Sequence, residues 1–287
     1  MADSHVLPIY HTFIVFQAPT LNRQAIIAAG VDDALFPDVS PDIEIIGTTE
    51  SKIPVAITIG DNQASFMGSV NSSEECLLVN VGTSGQITRF VNNYIRSSQI
   101  DIRPFTKGDF LLVGSSLCGG RAYALLEKFF RSVVQMATDV TPPILYDVMN
   151  ELANEFSSIE NKLEISTKFS GTRENPWQRG TISNVGVDNF TPRHFIVGVL
   201  EGVVKELYSL YEIMSPELSQ KPRKLVGSGN AIRLCTPLQR LVSDVFDMPI
   251  SIPRYREEAG YGAALFALVA VGYLKSLPDA QTLVQYE

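Results

Sequence analysis

Leu77-Leu78-Val79-Asn80-Val81-Gly82-Thr83-Ser84-Gly85-Gln86-Ile87-Thr88-Arg89-Phe90-Val91 is the stretch whose reading decides the fold. Leu77 to Val81 is an aliphatic run of strand length, and Gln86 to Val91 is a second run rich in β-branched and aromatic residues. The four residues between them include two glycines, so the two runs form a hairpin with a tight connection. Gly82 and Gly85 allow the backbone to approach a ligand closely. Successive N–H groups in such a turn form a nest for phosphate oxygens, and the Thr83 hydroxyl adds a donor. An ordinary hairpin explains the same residues equally well when they are taken alone.

Upstream, Ile53 to Ile59 reads as a buried strand running into Gly60-Asp61-Asn62-Gln63. A helix follows, with Ala64, Phe66, Met67 and Val70 as its apolar positions. Earlier, Leu21 to Ala29 is a short helix closed by Gly30, and Phe36 to Pro41 is a loop. Downstream, Phe110 to Val113 is a strand, and Gly119-Gly120 opens a helix with Leu125, Leu126, Phe129, Phe130 and Val133 as apolar positions. Helical spacing continues from Ile144 to Phe156. Gly171 to Pro192 is polar and reads as a long loop. Phe195 to Met214 is an amphipathic helix. Lys224 to Val226 leads through Gly227-Ser228-Gly229-Asn230 into a helix over Leu238 to Phe246. Pro249 to Ile252 is a short strand, and a final helix runs from Glu257 to near Leu274. Strands and helices alternate after the hairpin, which specifies a layered α/β fold with a mixed sheet flanked by helices.

Four places could carry chemistry. Asp61 stands at a strand end, where ligands bind in open α/β sheets, and a carboxylate there can take a proton from a hydroxyl. The same residue could simply cap the helix that follows. The Gly82 to Gly85 turn is the second place. Gly227-Ser228-Gly229-Asn230 is the third, because glycines before a helix N-terminus admit an anion or a flat group. Gly260-Tyr261-Gly262-Ala263-Ala264 is the fourth, read as close helix packing in preference to ligand contact. Ile46-Gly47-Thr48-Thr49 resembles a phosphate loop, but no helix follows to supply a dipole, so it reads as a plain loop.

The bulk composition narrows the classes. A formal net charge of -8 argues against a general nucleic-acid or anionic-membrane partner. Cys76, Cys118 and Cys235 are odd in number and far apart, and with His5, His11 and His194 they make no metal-binding spacing. This usage fits a reducing cytoplasm. Phe13-Ile14-Val15-Phe16 lacks the flanks of a secretory leader and reads as a stray strand.

The order of these motifs resembles the second domain of the FGGY carbohydrate kinases, which have an actin-like, ribonuclease-H-like ATPase fold. The residues that carry the resemblance begin with Gly60-Asp61-Asn62-Gln63 and Val81-Gly82-Thr83-Ser84-Gly85. They continue with Gly171-Thr172-Arg173, Arg179-Gly180, Glu201-Gly202-Val203, Gly227-Ser228-Gly229 and Gly260-Tyr261-Gly262-Ala263-Ala264. Gly119-Gly120 and Gly227-Ser228-Gly229-Asn230-Ala231 are most similar to the sedoheptulokinase-like branch.

The resemblance implies ATP-dependent phosphorylation of a carbohydrate hydroxyl, with Mg²⁺ on the phosphates. It implies Asp61 as catalytic base and Asn62 as a sugar contact. Gly82, Thr83 and Gly85 would surround the ATP phosphates. Gly119 and Gly120 would lie toward the ribose, and Gly227, Gly229 and Asn230 near adenine. Cys235 departs from the family, falling where many members have an Asn near adenine. No Asp-x-Gly-Thr-Thr phosphate loop of a first domain is present in the chain. Residues 1–52 are expected to be the end of that first domain and the interdomain segment, and residues 53–287 the nucleotide-binding domain. Such a chain is expected to turn over poorly alone, and to associate with itself or with a first kinase domain. The alternative is a nucleotide-binding or regulatory module without transferase activity.

Overall fold

The computed structural model describes residues 14–15, 20–97, 99–106, 108–138 and 140–287. Its centre is a six-stranded mixed sheet in the order Ile250–Ser251, Lys224–Ser228, Cys76–Val81, Gly85–Val91, Phe110–Ser116, Asp101–Pro104. The first three strands are parallel. The hairpin partner Gly85–Val91 and the last two strands add antiparallel pairs. Val81 lies opposite Gly85, so the turn predicted around Gly82 sits at the tip of this hairpin.

Side-chain alternation divides the core between the two faces of the sheet. Leu77, Val79, Val81 and Ile87 pack on one face with Val203, Val204 and Leu207 of the Pro192–Met214 helix, and with Leu238, Leu241 and Val242 of the Thr236–Phe246 helix. Cys76, Leu78, Leu111, Val113 and Val226 pack on the other face with Phe66 and Val70, next to the Asp61–Ser69 helix. Phe66 is fully buried there, a burial worth about 2 kcal/mol. Helices therefore cover both faces, which is why the central strands are apolar nearly throughout.

The Asp61–Ser69 helix packs closely against the Glu258–Ala270 helix. A Cβ on Gly68 would stand 2.1 Å from the Glu258 carbonyl oxygen, and one on Gly262 would stand 1.8 Å from that of Ala64. Both positions need glycine because backbone meets backbone. This supports the packing reading of Gly260 to Ala264.

Several expectations are corrected. Ile53 to Ile59 is not a buried strand of the main sheet. Only Pro54–Ala56 is extended, and it pairs with Ile45–Thr48 in a separate two-stranded ribbon. Ile53 is 61% exposed, and Pro54 suits an outlying strand that gives no ladder donor. Ile57 and Ile59 do turn inward, toward Met67 and Phe266. Gly47-Thr48-Thr49 is therefore the end of a hairpin strand and its turn, rather than a plain loop.

The Gly120–Thr138 helix begins as predicted, but Leu125, Phe129 and Val133 lie on its exposed side. Ala122, Tyr123 and Leu126 carry its contact with the core. The Ile144–Phe156 helix shortens to Tyr146–Ala153. The 171–192 loop contains Ile182–Ser183, paired with Glu164–Ile165. The last predicted helix stops at Ala270 and is followed by Gly272 at φ 75°; a further short helix, Leu277–Gln281, was not foreseen. Ile14–Val15 pairs with Thr20–Leu21, in keeping with the stray strand. His5, His11, Phe13 and Phe16 lie outside the described residues.

Replacing Gly262 by Ala should cost about 1–3 kcal/mol through overpacking of the helix crossing. Urea unfolding measures this directly, and an unchanged midpoint would refute the backbone contact.

Candidate functional site

The hairpin tip lies between two cavities. Val81, Gly82 and Thr83 line the first, of about 770 Å³. Asn80 and Gln86, immediately before and after the tip, line the second, of about 1150 Å³, together with Asp61 and Asn62.

The first cavity is polar at one end and apolar at the other. At the polar end three glycine-bearing connections converge. Gly120 N–H donates to the Gly82 carbonyl at 2.8 Å, and Arg121 N–H donates to that of Thr83 at 3.1 Å. A Cβ on Gly120 would meet Gly82 O at 2.5 Å, and one on Gly119 would meet Ser84 O at the same distance. Gly229 has φ 87° and packs on the Val81 carbonyl, so both its conformation and its contact require glycine. Gly82 N–H is already used by Ser84 O at 3.0 Å. Thr83 is exposed and lines the cavity.

At the apolar end Tyr123 stacks on Tyr146, with ring centroids 5.9 Å apart and planes at 26°. The Tyr123 hydroxyl donates to Asn150 Oδ1 at 3.0 Å, and Asn150 Nδ2 donates to the Leu234 carbonyl at 3.2 Å. Burial pushes the Tyr123 hydroxyl far above its ordinary range, so it stays a donor at neutral pH. Cys235 and Leu238 complete this end. Burial pushes the Cys235 thiol up to about 11, so it behaves as an inert apolar lining group.

In the second cavity Asp61 is the first residue of its helix, and Gly60 is the cap. Asp61 Oδ1 accepts from Asn62 N–H at 2.7 Å, which satisfies one free donor of the helix start. The other oxygen remains for the cavity that Asp61 lines. Asn62 Nδ2 donates to Gln86 Oε1 at 3.0 Å, while its own Oδ1 is buried without a partner. Asn80 Nδ2 donates to Ser228 Oγ at 2.8 Å. Opposite them, Asp101 pairs with both Arg103 and Arg173, which ties the loop after Gly171 to the sheet edge.

Two further carboxylates, Glu258 buried and Glu206 half-buried, lie outside the lining of both cavities. Glu258 pairs with Arg233 at 2.7 Å, with both side chains about nine-tenths buried, joining the helix after Gly229 to the start of the Glu258–Ala270 helix. Glu206 accepts from Thr167 Oγ1 at 3.1 Å. Burial holds its carboxyl above the usual range, against the hydrogen bonds from Thr167 and Ser116.

The sequence-predicted residues thus divide. Gly82, Thr83, Gly119, Gly120 and Asn230 line the first cavity, and Asp61 and Asn62 line the second. Gly85, Gly227 and Gly229 stand behind the lining. Gly85 packs against Leu207, and a Cβ on Gly227 would meet Ile250 Cδ1 at 2.6 Å. Tyr123, Tyr146 and Asn150 were not singled out from the sequence. Among the described residues no cluster of three or more metal-ligating side chains forms, and no helix is long and apolar enough to cross a membrane.

The model of the FGGY family of carbohydrate kinases, C-terminal domain, matches residues 77–271. The chain belongs to this family. Glycerol kinase 1 of Clostridium tetani is 24% identical over 269 residues, covering 88% of this chain and 51% of that kinase. Gluconokinase of Bacillus subtilis is 22% identical over 258 residues, covering 87% and 49%. The chain spans about half the length of the curated relatives it matches.

Among solved structures, xylulose kinase from Rhodospirillum rubrum superposes with a TM-score of 0.79 at 18% identity, over 96% of this chain and 56% of that one. Plasmodium falciparum glycerol kinase with ADP gives 0.75 at 16% identity, over 94% and 55%. The fold is the actin-like ATPase fold of the FGGY sugar kinases. The matches extend across glycerol, gluconate and xylulose kinases, and single out no sedoheptulokinase-like branch.

Glu206→Gln should stabilise the chain at neutral pH. The raised folded-state value means that the native state holds the Glu206 proton more tightly than the unfolded chain. Stability from this group is therefore full in acid and lost as pH rises through the folded value. The advantage of the Gln variant in thermal unfolding should grow from acid to neutral pH; an advantage independent of pH would count against the assignment.

Proposed function

We propose that this chain is the nucleotide-binding part of an ATP-dependent kinase that phosphorylates a hydroxyl of a carbohydrate or polyol. The observation that carries the reading is the hairpin tip between the two cavities. The triphosphate would lie along Gly82, Thr83, Gly119 and Gly120, with its base toward Tyr123 and Tyr146. Asn230 opens the helix beside it. The acceptor would lie in the cavity of Asp61, with Asn62 Oδ1 available to a sugar hydroxyl. The terminal phosphate would then pass across the hairpin tip.

In this mechanism Asp61 accepts the proton of the attacking hydroxyl as its oxygen bonds to the terminal phosphorus, and ADP leaves. Gly85, Gly227 and Gly229 act by shape, because their missing side chains let the three connections close on one another. Mg²⁺ fits as an ion carried on nucleotide phosphates and water, since this kind of site needs no protein cage. It would neutralise charge on the phosphate oxygens. A second actin-like domain is the proposed partner, supplying the opposite wall of the acceptor cleft. The domain division at about residue 52 is proposed on the same basis, and sedoheptulose belongs in the acceptor panel beside glycerol, gluconate and xylulose.

The test is acceptor-dependent ADP formation across that panel, with such a domain supplied. Asp61→Asn should lower turnover at least ~100-fold, as removal of a general base does, while leaving ADP-induced thermal stabilisation intact. Near-wild-type turnover in that variant would remove Asp61 from the mechanism. ADP binding with no transfer to any acceptor would favour a nucleotide-binding module instead.

A further inference from the structure

We infer that Asn150 reads the 6-amino group of the purine, so that this pocket selects adenine over 6-oxo purines. The inference rests on the nucleotide reading of the first cavity. That cavity ends, away from the glycine connections, among the Tyr123 and Tyr146 rings, Ala124, Ile144, Leu234, Cys235 and Leu238. Those side chains suit a flat aromatic base and give almost no hydrogen-bonding information; the polar side chains that the Tyr146–Ala153 helix adds to the lining are Asp147, which is exposed, and Asn150. Cys235 adds none, because a buried protonated thiol is a weak donor and weak acceptor. Asn150 is the side-chain amide at this end, and it stands on the Tyr146–Ala153 helix, one helical turn from the stacked Tyr146.

The amide cannot present either face at will. The Leu234 carbonyl can only accept, so the Asn150 NH₂ must face it across 3.2 Å. Oδ1 is thereby turned toward the Tyr123 hydroxyl, which stays protonated and donates across 3.0 Å. These two bonds come from different helices and fix a single flip state. A carbonyl oxygen accepts two hydrogen bonds, so Oδ1 keeps one lone pair after Tyr123 is served. What the orienting bonds leave at the base end is an acceptor.

Adenine carries a donor at position 6, and hypoxanthine and guanine carry an acceptor there. A fixed acceptor rewards the first and sets oxygen against oxygen for the others. A site built to pair one group rejects the analogue that leaves its buried polar atom unmatched. The distribution of roles is then clear. Tyr146 and Tyr123 supply stacking to any base, Asn150 supplies the choice, and the Tyr123 hydroxyl is a positioning group that acts through Asn150.

The test is binding of ADP and IDP, which differ in this 6-substituent, measured by calorimetry on the whole chain. The wild type should prefer ADP by about tenfold or more, the equivalent of one such matched group. Asn150→Leu should lower ADP affinity about tenfold and bring the two nucleotides within about twofold of each other. Tyr123→Phe keeps the stack but leaves the amide held by the Leu234 carbonyl alone. It should erode the preference while ADP affinity falls only a few fold, a split that mere loss of packing would not produce.

Thermal unfolding confirms that each variant is folded before binding is compared. A wild type that binds both nucleotides equally overturns the inference and leaves the nucleotide pocket standing. A folded Asn150→Leu with the full preference for ADP overturns it as well. A wild type that binds neither nucleotide overturns the pocket reading and the inference together.

Discussion

The contact on which the rest of the site depends is the one between the hairpin tip and the start of the Gly120–Thr138 helix. Gly120 N–H bonds to Gly82 O, Arg121 N–H bonds to Thr83 O, and no side chain separates the backbones. A Cβ at Gly119 or Gly120 would fall within 2.5 Å of a carbonyl oxygen. Gly229 closes on Val81 from the third side. Three strand-to-helix or strand-to-strand connections thus meet without side chains between them, and this leaves a floor made of peptide groups. Such a floor is small, polar and already ordered, and a bound group can approach its backbone closely. The apolar end of the cavity follows from the same contact, since the Gly120–Thr138 helix starts at this point and carries Tyr123 to that end.

The hairpin was legible in the sequence because its two strands are buried on both faces and its turn is glycine-rich. Those are local properties, and a local pattern reports them. The same pattern misled at Ile53 to Ile59. A β-branched run looks alike whether it lies in a covered sheet or in an outlying ribbon, and only its neighbours decide. Asp101–Pro104 went unread for the opposite reason. It is a short edge strand with Arg103 and Pro104, and it gains its place from pairing with Phe110–Ser116 rather than from its own residues.

The candidate site divides along the same line. Asp61 and the glycines announce themselves because each stands where a strand, turn and helix succeed one another. Tyr123, Asn150 and Leu234 do not, because their hydrogen bonds span 27 and 84 residues of sequence. In a helical pattern Tyr123 reads as core and Asn150 as solvent-facing. Their contact exists only once three helices have met. Leu125, Phe129 and Val133 show the same limit from the apolar side. Spacing finds the helix, but it does not say which apolar stripe the sheet will cover.

The helix crossing at Gly68 and Gly262 has a mechanical consequence. One of its helices begins at Asp61, and the other begins at Glu258, whose carboxylate holds Arg233 on the short helix that lines the first cavity. The wall that carries Asp61 and the wall that carries Asn230 are therefore joined at a crossing with no side-chain cushion. Sliding one wall past the other within this body would force carbonyl oxygens into glycine α-carbons and pull apart a buried ion pair. Shortening the path between the two cavities by internal shear is closed to it, and the domain behaves as one solid jaw.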